Sequence, residues 1–146
     1  MEWVSLFLHK IIVAADEISL FCRLQFYAKK GLPIRSSEMG VLIYVQKHPD
    51  GATPLNISQF FQIAKPSVTT MINELIKKEY LVKEQSITDK RSYTVSLTEK
   101  GQNLVTSEHD AYFKSIAMLE NKMGQADFET FIEMLQKANL ILSDLR

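Results

Sequence analysis

The chain has little cysteine, glycine or proline, and no net charge. Of its 146 residues one is cysteine, Cys22, so no intrachain disulfide framework can form and a reducing cytosol fits. Five glycines leave no glycine-rich phosphate loop, and nucleophile elbows and His-Glu-x-x-His are absent too. His9, His48 and His109 are scattered with none paired at ligand spacing, so neither a metal nor another cofactor is expected. No convergent catalytic set remains, and the chain reads as no enzyme. Lys and Arg number 17, as do Asp and Glu, so the formal net charge of +0 points to no partner and excludes none. The apolar-rich stretch Trp3 to Val13 is broken by His9 and Lys10 and is too short to span a bilayer, and no signal peptide is seen. The expected location is cytoplasmic, with no membrane partner.

What is present belongs to an ordinary globular chain, 46% hydrophobic and 23% charged, with enough length for one domain and a sizeable core. From Ser5 to about Lys30 apolar residues recur at helical spacing (Phe7, Leu8, Ile11, Ile12, Ala15, Ile18, Phe21, Cys22, Phe26) until Gly31 and Pro33 end the helix. That apolar face is broad, and either a partner subunit or the rest of the chain covers it. Ser36 or Ser37 caps a second helix, about Ser37 to Lys47, and His48-Pro49-Asp50-Gly51 breaks it. A short helix, about Ile57 to Gln62, precedes the turn Ala64-Lys65-Pro66 and a longer helix from about Ser67 to Glu79. Leu81 to Gln85 and Tyr93 to Leu97 read as strands joined by the loop Ser86 to Ser92. Thr98 caps a long helix to about Lys122, and a last helix, about Phe128 to Leu145, follows Gly124.

Short helix, turn, second helix and hairpin, in that order, outline a winged helix-turn-helix. A helix fits the DNA major groove while the one before it braces the backbone, and a hairpin tip reaches a neighbouring groove or phosphates. Val68, Met71, Ile72 and Leu75 share one face of the second helix and pack inward. Ser67, Thr69, Thr70, Asn73 and Lys77 project elsewhere, with side chains suited to base edges and phosphate oxygens. A solvated amphipathic helix has the same pattern, so the pattern alone does not decide. At the hairpin tip, Asp89 and Arg91 share a face if the segment is extended, and the carboxylate would then hold the guanidinium in one orientation. An exposed ion pair worth at most about 1 kcal/mol is the plain alternative.

Residues 57–81 (IleSerGlnPhePheGlnIleAlaLysProSerValThrThrMetIleAsnGluLeuIleLysLysGluTyrLeu), then Asp89-Lys90-Arg91 and Val95-Ser96-Leu97-Thr98-Glu99-Lys100-Gly101, resemble the multiple-antibiotic-resistance regulator (MarR) family. The likeness runs from Leu55 to Leu104, and Asp-x-Arg followed by Leu-Thr-x-x-Gly is its most specific part. It implies a mainly α fold with a small β-hairpin: a winged helix-turn-helix domain, residues 36–100, between dimerisation helices at residues 1–35 and 101–146. It further implies a homodimer on a pseudo-palindromic double-stranded operator, acting as a repressor released by a small anionic or phenolic ligand. On this resemblance Lys65, Pro66, Ser67, Thr69, Thr70, Asn73 and Lys77 face a major groove, and Asp89, Lys90 and Arg91 form the wing. Phe7, Ile11, Phe128, Phe131, Leu135 and Leu142 join the two subunits. Thr70 stands where many members have Arg and Asn73 where many have Asp; Gln62 and Glu79 occupy positions often held by Gly.

An effector pocket is expected around Phe26, Arg35, Tyr44 and Tyr112, although aromatic residues at helical spacing are more often core. Cys22 is expected to be a buried, inert thiol. Two alternatives stand beside the DNA-binding regulator: a helical dimerisation or protein-interaction module that binds no DNA, and a redox-sensing regulator based on Cys22.

Overall fold

The computed structural model describes residues 2–146. Six helices and one hairpin follow in the order α1 (Glu2–Ala28), α2 (Ser36–Gln46), α3 (Pro54–Phe61), α4 (Lys65–Lys77), β1 (Leu81–Gln85), β2 (Tyr93–Leu97), α5 (Glu99–Met123) and α6 (Gln125–Ser143). They divide into two compact units, residues 29–112 and residues 1–28 with 113–146. Among the described residues no helix is long and apolar enough to cross a membrane.

The unit of residues 29–112 holds the hydrophobic core. Met39, Val41, Leu42 and Val45 of α2, Ile57 of α3, Val68, Ile72 and Leu75 of α4, Leu81, Val95 and Val105 are all buried. From Met39 to Val45 every residue of α2 is apolar, and that stretch is buried all round, as such a sequence requires. Neither Ser36 nor Ser37 caps it. The cap is Arg35, in extended conformation, whose backbone N–H donates to the Glu38 carboxylate at 3.3 Å. The third helix begins at Pro54, three residues before its first buried isoleucine, because Thr53 accepts the Asn56 amide at 3.1 Å and Pro54 opens the first turn.

β1 and β2 pair antiparallel, with Leu81 opposite Leu97 and Gln85 opposite Tyr93. Ala52 pairs with Val95 on the other side of β2, with hydrogen bonds of 2.8 and 3.3 Å, and so ties the hairpin to the approach of α3. Two non-glycine residues take left-handed backbone, Gln62 after α3 (φ 53°) and Glu79 after α4 (φ 66°). Each costs about 1 kcal/mol, which the helix stops repay by satisfying terminal carbonyls. Ile63 N–H reaches Ser58 O at 3.2 Å, and Tyr80 N–H reaches Leu75 O at 2.9 Å.

The other unit combines α1, the later part of α5 and α6. Phe21 meets Phe131 edge to face at 5.8 Å, and Ser115 Oγ donates to the Gln25 side-chain oxygen at 2.8 Å. Neither α1 nor α6 has a buried residue. Cys22 is exposed, not buried; helical spacing put it on an apolar face, but spacing does not show which part of that face is covered.

Gly101 sits where a Cβ would lie 2.2 Å from the Tyr80 carbonyl oxygen. Gly101→Ala gains about 1 kcal/mol of helix propensity, but overpacking against fixed backbone outweighs it, and a net loss of about 2 kcal/mol or more is expected in urea unfolding.

Candidate nucleic-acid interface

The second helix of the pair is α4. Val68, Ile72 and Leu75 anchor it in the core, a spacing that leaves the opposite face outside. Lys65, Pro66, Ser67, Thr70, Asn73 and Lys77 are exposed, and Thr69 is half-buried. The two threonine hydroxyls donate back into the helix, Thr69 Oγ1 to Lys65 O at 3.1 Å and Thr70 Oγ1 to Pro66 O at 3.0 Å. Each then offers outward its remaining lone pair and its methyl group. Asn73 keeps a full amide, donor and acceptor, on the exposed face.

The hairpin tip, residues 86–92, is folded into a turn and not extended. Asp89 organises it through its carboxylate: Oδ1 accepts the Arg91 amide at 2.9 Å and Oδ2 accepts the Ser92 hydroxyl at 3.2 Å. Ser92 N–H closes onto Asp89 O at 3.1 Å, and Ser86 N–H onto Ser92 O at 2.9 Å. The Gln85 side-chain amide reaches across to the Lys90 and Ser92 carbonyls. Asp89 forms no ion pair with the Arg91 guanidinium among the described residues, which corrects the expectation of a carboxylate beside the guanidinium. The two-residue spacing puts side chains on one face only in a strand, whereas in this turn a short acid caps the backbone two residues on. Lys90 and Arg91 are exposed. Behind the tip, Lys83 Nζ lies 4.1 Å from the Tyr93 ring centre, a diagonal pair across the strands.

Helix and hairpin are joined at one corner. Thr98 Oγ1 accepts the Gly101 amide at 3.0 Å, as an N-cap should, and also donates to Glu79 O at 2.6 Å. Lys100 Nζ reaches Lys78 O at 2.9 Å. The end of α4, the base of the hairpin and the start of α5 thus share one hydrogen-bonded knot.

A cavity of about 270 Å³ lies within the same unit, lined by Lys29, Ser36, Ser37, Gly40, Val41, Phe61, Ile63, Met71 and Tyr112. Lys29 Nζ stands 4.3 Å over the Tyr112 ring. Burial lowers the Lys29 pKa and raises that of Tyr112. A Cβ on Gly40 would come within 3.2 Å of the Tyr112 hydroxyl, so a side chain there would push the ring back by a few tenths of an ångström. Of the four residues expected around a pocket, Tyr112 lines this cavity. Tyr44 is 8% exposed and stacks on His48, 4.0 Å between ring centres, beside Phe60 and Phe61. Arg35 is exposed at the α2 cap, and Phe26 belongs to the other unit, where its ring meets Tyr27. Gly40 was not marked in the sequence, and Met71 was read as core, because no periodicity links either to a pocket.

In the other unit the residues expected at a subunit junction are largely open. Phe7 is 66% and Leu142 59% exposed; Ile11 and Leu135 are also exposed, and Phe128 and Phe131 are half-buried.

Asp89→Ala should loosen the tip alone. Faster amide exchange at Arg91 and Ser92 is expected, with a stability loss under about 1 kcal/mol, because only exposed local hydrogen bonds are removed.

Residues 30–92 match the model of the MarR family. The chain is 29% identical over 91 residues to the HTH-type transcriptional regulator MhqR of Bacillus subtilis, which covers 62% of this chain and 63% of that protein. It is 26% identical over 98 residues to YhbI of the same organism, an uncharacterised HTH-type transcriptional regulator, covering 66% and 64%. The match therefore spans less than two thirds of the length of these curated relatives. Among solved structures, a mutant MarR from E. coli complexed with operator DNA has the same fold, with a TM-score of 0.77 at 18% identity over 88% of this chain and 95% of that one.

Proposed function

We propose that this chain, whose residues 30–92 match the model of the MarR family, is a homodimeric, sequence-specific regulator of transcription of that family that binds double-stranded DNA and catalyses no reaction. One observation carries this: the exposed polar face of α4 and the exposed Lys90 and Arg91 of the hairpin are fixed to a single corner at Thr98. That arrangement suits a helix in a major groove with a cationic tip at an adjacent minor groove. Similarity to MarR, which has been seen with operator DNA, supports it. The chain would act in the cytoplasm, where such an operator lies. Its open apolar surface on α1 and α6 supports a second copy as partner.

The cavity beside α2 and α4 is the proposed effector site. Its Lys29, its Ser36 and Ser37 hydroxyls and its Tyr112 ring suit a small anionic or phenolic ligand. A ligand that prefers a placement of α4 unsuited to B-DNA lowers DNA affinity and relieves repression.

The direct test is a gel shift with the DNA upstream of the chain's own coding sequence. Specific binding that weakens steeply with salt is expected; salt-independent binding, or none, refutes the proposal. Arg91→Ala should weaken binding by about tenfold with the melting temperature unchanged, as for loss of one groove-inserted cation. Thr70→Ala and Asn73→Ala should change the preferred sequence in a binding selection, whereas uniform loss across sequences would show that they read no bases. Removal of the chain from Phe128 onward should leave monomer or insoluble protein by light scattering; a well-behaved dimer would overturn the assigned interface.

A further inference from the structure

The carboxylate of Glu38 is the buried charge of the core, 3% exposed, and it sits in the first turn of α2. A buried acid must be answered by donors or it destabilises the fold. Glu38 has two: the Arg35 amide at 3.3 Å and Lys78 Nζ at 3.2 Å. Lys78 is the residue that ends α4, and its own N–H closes the helix on Glu74 O at 3.0 Å. The acid therefore lies at the positive end of α2 and the base at the negative end of α4, where each helix dipole favours it.

Its place in the chain matters more than its strength. Ser36, Ser37, Gly40 and Val41 flank Glu38 and line the cavity. Lys78 lies five residues beyond Asn73, about 7.5 Å along the axis at 1.5 Å per residue. The first turn of α2 thus touches the cavity on one side and holds the end of the DNA-facing helix on the other.

We propose that Glu38 and Lys78 are a positioning pair: the ion pair sets the angle at which α4 meets DNA and passes displacement of α2 at the cavity to α4. The proposal rests on the DNA-binding function proposed above. Lys78 touches no base in it; it acts through the helix it ends.

The experiment compares full-length wild type with Glu38→Gln, Lys78→Met, the double variant and Lys78→Arg. Each is measured on the duplex that wild type selects from a random pool, over a range of salt. Circular dichroism and thermal melts establish that each variant is folded. The Glu38→Gln side chain keeps the shape and the acceptor for the Arg35 amide, so it serves if Lys78→Met fails to fold. Each single variant should lose about tenfold in affinity, within the range of positional coupling. The slope of log affinity against log salt should stay unchanged, the double variant should be no worse than the worse single one, and Lys78→Arg should recover binding. A slope reduced by about 0.9 in Lys78→Met, with Glu38→Gln unaffected, would make Lys78 a phosphate contact and overturn the proposal. Wild-type affinity in all variants would overturn it as well, leaving DNA binding intact. Wild type that selects no duplex would instead remove the DNA-binding function, and this pair's role with it.

Discussion

The Tyr80 carbonyl accepts the Thr98 amide at 3.1 Å, and Gly101 approaches the same oxygen so closely that no side chain fits between them. The rest of the proposed DNA-facing surface depends on that contact. A hairpin of two five-residue strands is marginal alone. Here its first residue follows the left-handed stop of α4 and its last precedes the cap of α5, so both feet stand on helix ends. Thr98 gives its proton to the Glu79 carbonyl and its lone pair to the Gly101 amide, satisfying groups on two helices with one hydroxyl. The distance from the polar face of α4 to the tip is then a property of packed backbone and not of a flexible linker.

A second constraint acts on α1 and α6. Trp3, Phe7, Ile11, Ile18, Leu24, Leu140, Ile141 and Leu142 all remain exposed. Burying one such side chain is worth about 1.5–3 kcal/mol, so a set of this size left in water favours association strongly. In the proposed dimer these helices would supply the shared core that residues 113–146 and 1–28 do not make for themselves.

The sequence was most legible where period and punctuation agree. Tyr93–Leu97 alternates, Val95 at its centre is buried, and both strands end where the pattern ends. Thr98 was readable as a cap because a helical period begins just after it. The left-handed backbone at Gln62 and Glu79 was foreshadowed by positions that often hold glycine. Less legible was the start of α3, where weight on the apolar run from Ile57 hid the Thr53-Pro54 signal. Asp89 was assigned a guanidinium partner because strand geometry was carried into a turn, where its backbone amides are nearer. Glu38 and Lys78, forty residues apart, escaped entirely, since no local pattern marks which buried acid meets which lysine. Cys22 shows the limit from the other side: spacing identifies an apolar face but not what covers it.

The chemistry of α4 bears on how a chain of no net charge would suit DNA in the proposed complex. Its outward groups include a serine, two threonines, of which Thr69 is half-buried, an asparagine and one acid, Glu74, with Lys65 and Lys77 at the two ends. Because both threonine protons are committed to helix carbonyls, the hydroxyls face outward as acceptors. Acceptors suit the exocyclic amines of adenine and cytosine, and the threonine methyls suit that of thymine. Asn73 alone on this face has the paired donor and acceptor that an adenine edge matches. In the proposed complex, then, sequence is read by short neutral side chains that must come close to the bases. Cations at the helix ends and at the wing supply the attraction to phosphates. Close approach by short side chains tolerates little misalignment, which is why the anchoring of α4 at its buried face and at its final turn weighs so heavily on what the helix can read.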